Sequence, residues 1–426
     1  VFLVVKIAVI GGASAFTPGI IEGLLAEEAV LAGAEICLMD IDSENLSIIA
    51  KLSRRMVEAR GAQYTITDTL LLDEALTGAN YVLSQVRIGG LAARALDEQI
   101  PRRLGCIGQE TTGPGGFSFA WRSIPYMLEL TRRMQSLCPD ARLINYTNPT
   151  GQVARAVLDS GFDKITAICD EPFGMQVVLG QLLRVHPTQL VIDNVGVNHC
   201  GALTAARYKG RDVLPWLGSL SAPLAHVPGF VGRMARLLRR FKVLPSPYLL
   251  YYYYTQEIFR EQQRQKRTRA QDLMLKLPVI YSHYREQAEQ PEPRLRLRRG
   301  VPGHGDLAVQ VIASMEARRN DRLVVNGRNQ GVIAWLPTEA IVEVPSHVSS
   351  EGTRLLPVPG ELDAGLKELI VRVERAEALN VAAAVKGDRQ LAVEAMRLHP
   401  LVPNQQIAQL LVADLLEAQR RLLPQF

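Results

Sequence analysis

Lys6-Ile7-Ala8-Val9-Ile10-Gly11-Gly12-Ala13-Ser14-Ala15-Phe16-Thr17-Pro18 is the stretch whose reading decides the fold. Lys6–Ile10 is a continuous apolar run, the pattern of a strand buried on both faces. It breaks into Gly11-Gly12, and Pro18 suits a first helical position. Ile20–Ala29 reads as the helix, and Glu35–Met39 as a second strand that ends at Asp40. Strand, glycine turn, helix, strand and acid is the order a dinucleotide needs. Backbone N–H groups at the helix start hold the pyrophosphate, and the acid hydrogen-bonds the ribose hydroxyls. Asp40 would repel a 2′-phosphate, so NAD is expected rather than NADP. Gly11, Gly12, Ser14, Ala15 and Phe16 are the other candidate cofactor contacts. Gly11, Ala13 and Phe16 occupy the three usual glycine positions, so the motif is incomplete. A strand–helix turn that binds nothing is the alternative.

Outward from this stretch, the first half alternates strands and helices, the pattern of an α/β protein with a doubly wound parallel sheet. Asn80–Val86 and Ala141–Asn145 read as further strands, Glu129–Ser136 and Gly174–Leu183 as helices. From about Ala205 helical segments take over. Tyr248–Arg269 reads as one long helix, Gln287–Gly305 as a loop and Asp306–Ala317 as a helix. Arg322–Val325 with Gly331–Trp335 reads as a strand pair, and the chain from Pro359 onward as helical. Two parts are expected: an NAD-binding domain over 1–200, and a substrate and oligomerisation domain over 201–426.

The bulk numbers exclude several classes. With 426 residues, 47% hydrophobic and 21% charged, the chain is an ordinary globule. A net charge of +5 is small, and the basic run Arg294–Arg299 lacks the interleaved aromatics of a nucleic-acid site, so no nucleic-acid partner is expected. No apolar run approaches membrane-spanning length, so no membrane partner is expected either. Val1–Ile10 could pass for a signal segment, but it lacks a basic start and runs into the glycine turn, so a first strand explains it better. Cysteines 37, 106, 138, 169 and 200 form no CxxC or regular framework, which points to a reducing compartment and a cytoplasmic location.

Cys169 and His199 each close a strand-like apolar run, Lys164–Ile168 and Val191–Val197. In an α/β sheet, residues leaving the carboxyl ends of neighbouring strands converge on the ligand crevice. A thiolate and an imidazole meeting there would make a two-ligand metal site with positions open for substrate. A buried cysteine beside a hydrogen-bonded core histidine is the other reading. Loops rich in arginine, carboxylate, amide and glycine fill residues 85–150: Gln85–Arg94, Asp97–Pro101, Gly108–Gly116 and Asn145–Thr150. Arg87 and Arg94 fit the grip of an anion, or pairing with Asp97 or Glu98.

Taken in order, these segments resemble glycoside hydrolase family 4, the NAD- and manganese-dependent glycosidases, and within it the 6-phospho-β-glucosidase branch. The resemblance runs from Gly11–Pro18 through Arg87–Gly90, Gly108–Gly116, Asn145–Gly151 and Val197–His199. It continues through Pro247–Tyr254 and Val342–Pro345 to Gly387-Asp388 and Leu398–Val402. It implies a Rossmann-like domain of the lactate/malate dehydrogenase type with an interleaved, mostly helical C-terminal α+β portion, assembled as a homodimer or homotetramer. It implies hydrolysis of an anionic, phosphorylated glycoside by transient oxidation rather than by a carboxylate pair. NAD takes hydride from C3, and Mn²⁺ or another divalent metal on Cys169 and His199 helps acidify the C2 proton. A base removes that proton, the aglycone leaves C1, water adds and the hydride returns. Arg87, Arg94, Asn148, Asp170 and Arg322 are the implied substrate contacts. Glu110 matches a family active-site acid.

Two positions depart from the pattern. Asp170 stands where the β branch commonly has asparagine, and a carboxylate there opposes a substrate phosphate. The family tyrosine taken as base falls within Arg299-Gly300-Val301-Pro302-Gly303-His304-Gly305-Asp306, on Gly303 or, with a one-residue slip, on His304. Histidine is able to act as a base near neutral pH, so His304, with Glu110 and Asp306, completes the expected catalytic set. A hydroxyacid dehydrogenase, echoed by Asn145–Pro149 and Asn198-His199, and an NAD-binding sensor without catalysis are the competing functions.

Overall fold

Alternate residues of the first strands enter two different cores. Ile7 and Val9 pack on one side of the sheet with Ile36, Leu38, Tyr81 and Leu83. Ala8 and Ile10 pack on the other with Cys37, Met39 and Val82. That explains the unbroken apolar run, because a period of two with both faces covered leaves no polar position.

The computed structural model describes residues 4–300 and 305–426. Strands β1 (Lys6–Ile10), β2 (Glu35–Met39), β3 (Thr65–Thr69), β4 (Tyr81–Ser84), β5 (Arg142–Asn145) and β6 (Ile165–Ala167) are parallel, in the order 3-2-1-4-5-6. This is the strand order of a doubly wound dinucleotide fold, with its crevice where β1 meets β4. A smaller sheet holds β7 (Leu190–Val197), β8 (Cys200–Tyr208), β9 (Arg211–Asp212) and β10 (Leu244–Pro245). Strands β11 (Asp321–Arg328), β12 (Ile341–Ser349) and β13 (Gly352–Leu355) then return antiparallel to the large sheet, joining β6 through Asn326 and Ala167. The large sheet thus draws strands from both sides of residue 200. The C-terminal helices Ala364–Lys386, Arg389–Leu398 and Gln405–Gln419 pack on its Ala8–Ile10 face.

Three expected elements differ. Tyr248–Arg269 is not one helix: Leu249–Tyr253 and Thr255–Arg264 are separate, and Thr268 starts the helix Arg269–Gln287 with a capping box to Gln271. Gly331–Trp335 is no strand, and β11 pairs with β12 instead. The Asn329 side chain closes that segment into a loop, donating to the carbonyls of Ile333 and Leu336 at 2.9 and 3.1 Å and accepting from the Ile333 N–H at 2.7 Å. Glu129–Ser136 is only the end of a helix running from Gly113 to Leu137. Among the described residues, no helix is long and apolar enough to cross a membrane.

Candidate active site

β6 and β7 belong to different sheets, so Cys169 and His199 do not leave neighbouring strands as expected. They meet nonetheless. Cys169 follows β6 and caps the helix Asp170–Leu183, its sulfur accepting from the Glu171 N–H at 3.5 Å. His199 sits in the two-residue turn between β7 and β8. Its φ of 60° is left-handed, a conformation that costs a non-glycine residue about 1–2 kcal/mol. That turn aims the ring at Cys169, with Nε2 3.3 Å from Sγ. The ring stacks on Tyr248, centroids 3.8 Å apart and planes within 6°. Nδ1 lies 3.1 Å from the Thr111 hydroxyl.

Burial lowers the His199 pKa to about 4 against a weaker opposing pull from Glu110, so the ring is neutral at pH 7 and keeps a lone pair. Burial, with Glu343 and Glu171 nearby, raises the Cys169 thiol well above its ordinary value. Burial and Glu343 push Glu171 up to about 8, although Ser246 donates to it at 3.2 Å. Burial, with Cys169 and Glu110 adding to it, raises the Tyr248 phenol. Among the described residues no group of three or more histidine, cysteine or acidic side chains is arranged to hold a metal. A sulfur and an imidazole nitrogen this close form a donor pair that suits a soft-to-borderline divalent ion and leaves its other positions to substrate and water.

A second cluster adjoins the first, since Glu110 precedes the Thr111 that meets His199. Glu110 takes Arg87 on one oxygen at 2.6 Å and Arg94 on the other at 2.9 Å, while Arg94 also binds Glu98 at 2.7 Å. Arg299 lies over the Phe16 ring at 4.6 Å. Burial alone would raise the Glu110 pKa, but Arg87, Arg94 and Arg299 overcome it and hold the carboxyl below its ordinary value. Arg299 drops to about 10 through burial and the neighbouring arginines, and stays cationic.

The glycine turn borders the same cleft, a space of about 1030 Å³ whose walls include Gly11, Ser14, Ala15, Phe16, Asp40, Arg87, Glu110, Asn148, Cys169, Asp170 and His199. Gly12 is packed so tightly on β2 that a Cβ would lie 2.9 Å from Leu38 Cβ. The helix Thr17–Ala26 has no side-chain cap; its Thr17 and Gly19 N–H groups donate to the Ser14 and Phe16 carbonyls at 2.9 Å, so what it offers an anion is the positive end of the helix dipole. Asp40 Oδ2 accepts from the Ala13 N–H at 3.0 Å and Oδ1 from the Ile41 N–H at 2.8 Å, so the acid braces the turn. These features fit a dinucleotide.

Not every candidate is brought here. Arg322 pairs with Asp193 and donates to the Ile192 carbonyl at 2.6 Å, lining a different cavity behind the smaller sheet. Asp306 begins the helix Asp306–Glu316 and packs against Gly23, away from the walls of the cleft. His304 lies outside the described residues. Burial, with the Asp170 carboxylate beside it, raises the Tyr146 phenol. Thr111, Glu171, Tyr248 and Arg299 line the cleft and were not singled out in sequence. Tyr248 carried one visible signal, its place just ahead of a tyrosine run in a segment of the family resemblance.

The chain matches known proteins over nearly its whole length. Residues 6–185 match the model described as family 4 glycosyl hydrolase, and residues 194–402 its C-terminal domain. A probable 6-phospho-beta-glucosidase of Bacillus subtilis (strain 168) is 33% identical, with 99% of this chain and 98% of that one covered. The 6-phospho-beta glucosidase from Thermotoga maritima, solved with manganese, NAD+ and glucose-6-phosphate, superposes at TM-score 0.89 with 29% identity and 98% of each chain covered. A 6-phospho-alpha-glucosidase from gut microorganisms, solved with NAD and Mn2+, gives 0.90 with 26% identity, over 99% of this chain and all (100%) of that one. A lactate dehydrogenase from Eimeria maxima, 14% identical at TM-score 0.56 over 90% of this chain and 96% of that one, shares the fold alone. The chain belongs to family 4 of the glycosyl hydrolases.

Proposed function

We propose that this chain is an NAD- and manganese-dependent 6-phospho-β-glucosidase. The observation that carries the reading is the 3.3 Å approach of Cys169 to His199 in the cleft that the glycine turn also borders. When bound, NAD supplies a hydride acceptor for C3 of the sugar, and a divalent ion supplies a Lewis acid that acidifies the C2 proton and a neighbouring phenol. Cys169 and His199 are the residues assigned to the ion. Asp40 is assigned to the ribose, and the first turn of the helix Thr17–Ala26 to the pyrophosphate.

Arg87 and Arg299, with Asn148, are assigned to the phosphorylated sugar, and Arg94 supports them through Glu110. Glu110, held ionised by these arginines, acts as their counter-charge rather than as a proton donor. Asp170 is turned to Tyr146, which lessens its opposition to a phosphate. Arg322 and Asp306 are not among the residues that line the cleft, and no role in it is assigned to them. For the C2 proton two acceptors stand: His304, from the sequence, and Tyr248, favoured by its stack on His199. The cytoplasm, a homodimer or homotetramer, and a division near residue 200 complete the reading. Five free cysteines support a reducing compartment, and the separate family matches over 6–185 and 194–402 support the division.

The test is a screen of nitrophenyl α- and β-glycosides, with and without a 6-phosphate, in NAD, Mn²⁺ and a reductant. Release of nitrophenol from the 6-phospho-β-glucoside without net NADH is the expected result. Net NADH from a 2-hydroxy acid would move the assignment to a dehydrogenase, and silence on every glycoside to a sensor.

A further inference from the structure

We infer that Thr111, steadied by Gln109, is a positioning residue that holds His199 with Nδ1 protonated and Nε2 turned as a bare lone pair toward Cys169. Gln109 Oε1 accepts from the backbone N–H groups of Thr111 and Thr112, both at 2.6 Å. Two such donors require the oxygen of the amide, which settles its orientation. The Thr111 hydroxyl has one proton and gives it to that oxygen at 3.2 Å. Its lone pairs are then left for the His199 Nδ1–H at 3.1 Å. The opposite ring nitrogen faces sulfur at 3.3 Å.

The relay has little slack. The loop bearing Gln109 and Thr111 lies directly on the first turn of the helix Gly113–Leu137. A Cβ at Gly115 would come 2.2 Å from the Gln109 carbonyl oxygen, and one at Gly116 2.5 Å from the Thr111 carbonyl carbon. Tyr248 closes one face of the ring, and Thr111 itself is only 6% exposed. An outer hydrogen bond of this kind selects the tautomer and orients a ligating histidine. The inference rests on the proposed metal role of Cys169 and His199.

The test uses the full chain with ¹⁵N-labelled histidine, His199 assigned by loss of its signals in His199→Gln. Metal-free protein reports the tautomer, and titration with Mn²⁺ alone, followed by electron paramagnetic resonance, reports affinity. Thr111→Val is expected to lose the Nδ1–H tautomer and weaken Mn²⁺ about 10–100-fold, whereas Thr111→Ser keeps both near wild type. An unchanged tautomer in Thr111→Val overturns the inference. So does unchanged Mn²⁺ affinity in Thr111→Val while Cys169→Ser loses binding. If Cys169→Ser binds Mn²⁺ as wild type does, the metal reading falls, and the tautomer signals still decide the place of Thr111.

Discussion

Asp97 and Arg122 face each other in a two-pronged pair, Oδ1 to Nη1 at 3.0 Å and Oδ2 to Nη2 at 2.6 Å, both side chains shut off from water. Gln419 donates to the same carboxylate at 3.0 Å, tying in the C-terminal helix, and Arg122 Nε reaches the carbonyl of Ile88 at the cleft at 3.2 Å. Removing one partner leaves an uncompensated buried charge, at a cost of about 3–5 kcal/mol. Arg122→Met is therefore expected to lower the urea midpoint strongly. Arg122→Met combined with Asp97→Leu should recover part of the loss, and the double variant falling further would refute this account.

Cys169→Ser is expected to cut Mn²⁺-dependent turnover by about 100-fold or more. NAD affinity, read by quenching of intrinsic fluorescence, should hold, because the glycine turn is held by hydrogen bonds to Met39, Asp40 and Gln85 rather than through the sulfur–imidazole pair. Full activity in the variant would refute the metal assignment.

Asp40→Asn removes a charge that both braces the Ala13 N–H and is assigned to the ribose. Loss of a charge-assisted hydrogen bond predicts NAD binding weaker by roughly 10–100-fold. The ratio of NAD to NADP affinity should fall with it. A ratio that does not move would leave Asp40 a brace of the turn and nothing more.

Tyr248→Phe keeps the ring on His199 and removes only the hydroxyl. Exchange of the substrate C2 hydrogen with deuterated water is expected to slow by about 10²–10⁴-fold, the range of general-base catalysis. His304→Gln is the companion variant, and whichever of the two leaves exchange untouched is excluded as the proton acceptor.

Glu110 titrates below its ordinary value because three arginines outweigh its burial. A depressed folded-state pKa means its contribution is present above the unfolded pKa of about 4.3 and is lost as pH falls through the folded value. The stability gap between wild type and Glu110→Gln should be level from neutral pH to about 5 and narrow on further acidification. A gap that widens in acid would reverse the sign assigned here.

Much of the large sheet was legible because its signals are local. Lys6–Ile10 and Glu35–Met39 are strands to the residue. Errors came where a side chain overrode the pattern, as with Asn329 curling residues 329–337 into a loop, or Thr268 starting a new helix inside an apparently continuous one. Arg87 and Arg94 stood out as an anion grip or an ion pair with Asp97 or Glu98; the structure pairs Arg94 with Glu98 and also gives both arginines the carboxylate of Glu110, a partner not weighed in sequence.

By itself the chain determined the order strand, glycine turn, helix, strand, acid, and with it the doubly wound class and the family, because hydrophobic period and motif order belong to neighbours along the backbone. The sequence paired Cys169 with His199, but tertiary structure decided how they meet, since they leave two different sheets whose packing no local pattern encodes. It likewise brought Thr111 and Tyr248 to the imidazole and sent Arg322 to Asp193. The reason is physical: a left-handed turn, a ring stack and a charge pair are set by which surfaces exclude water together, and that is a property of the folded whole.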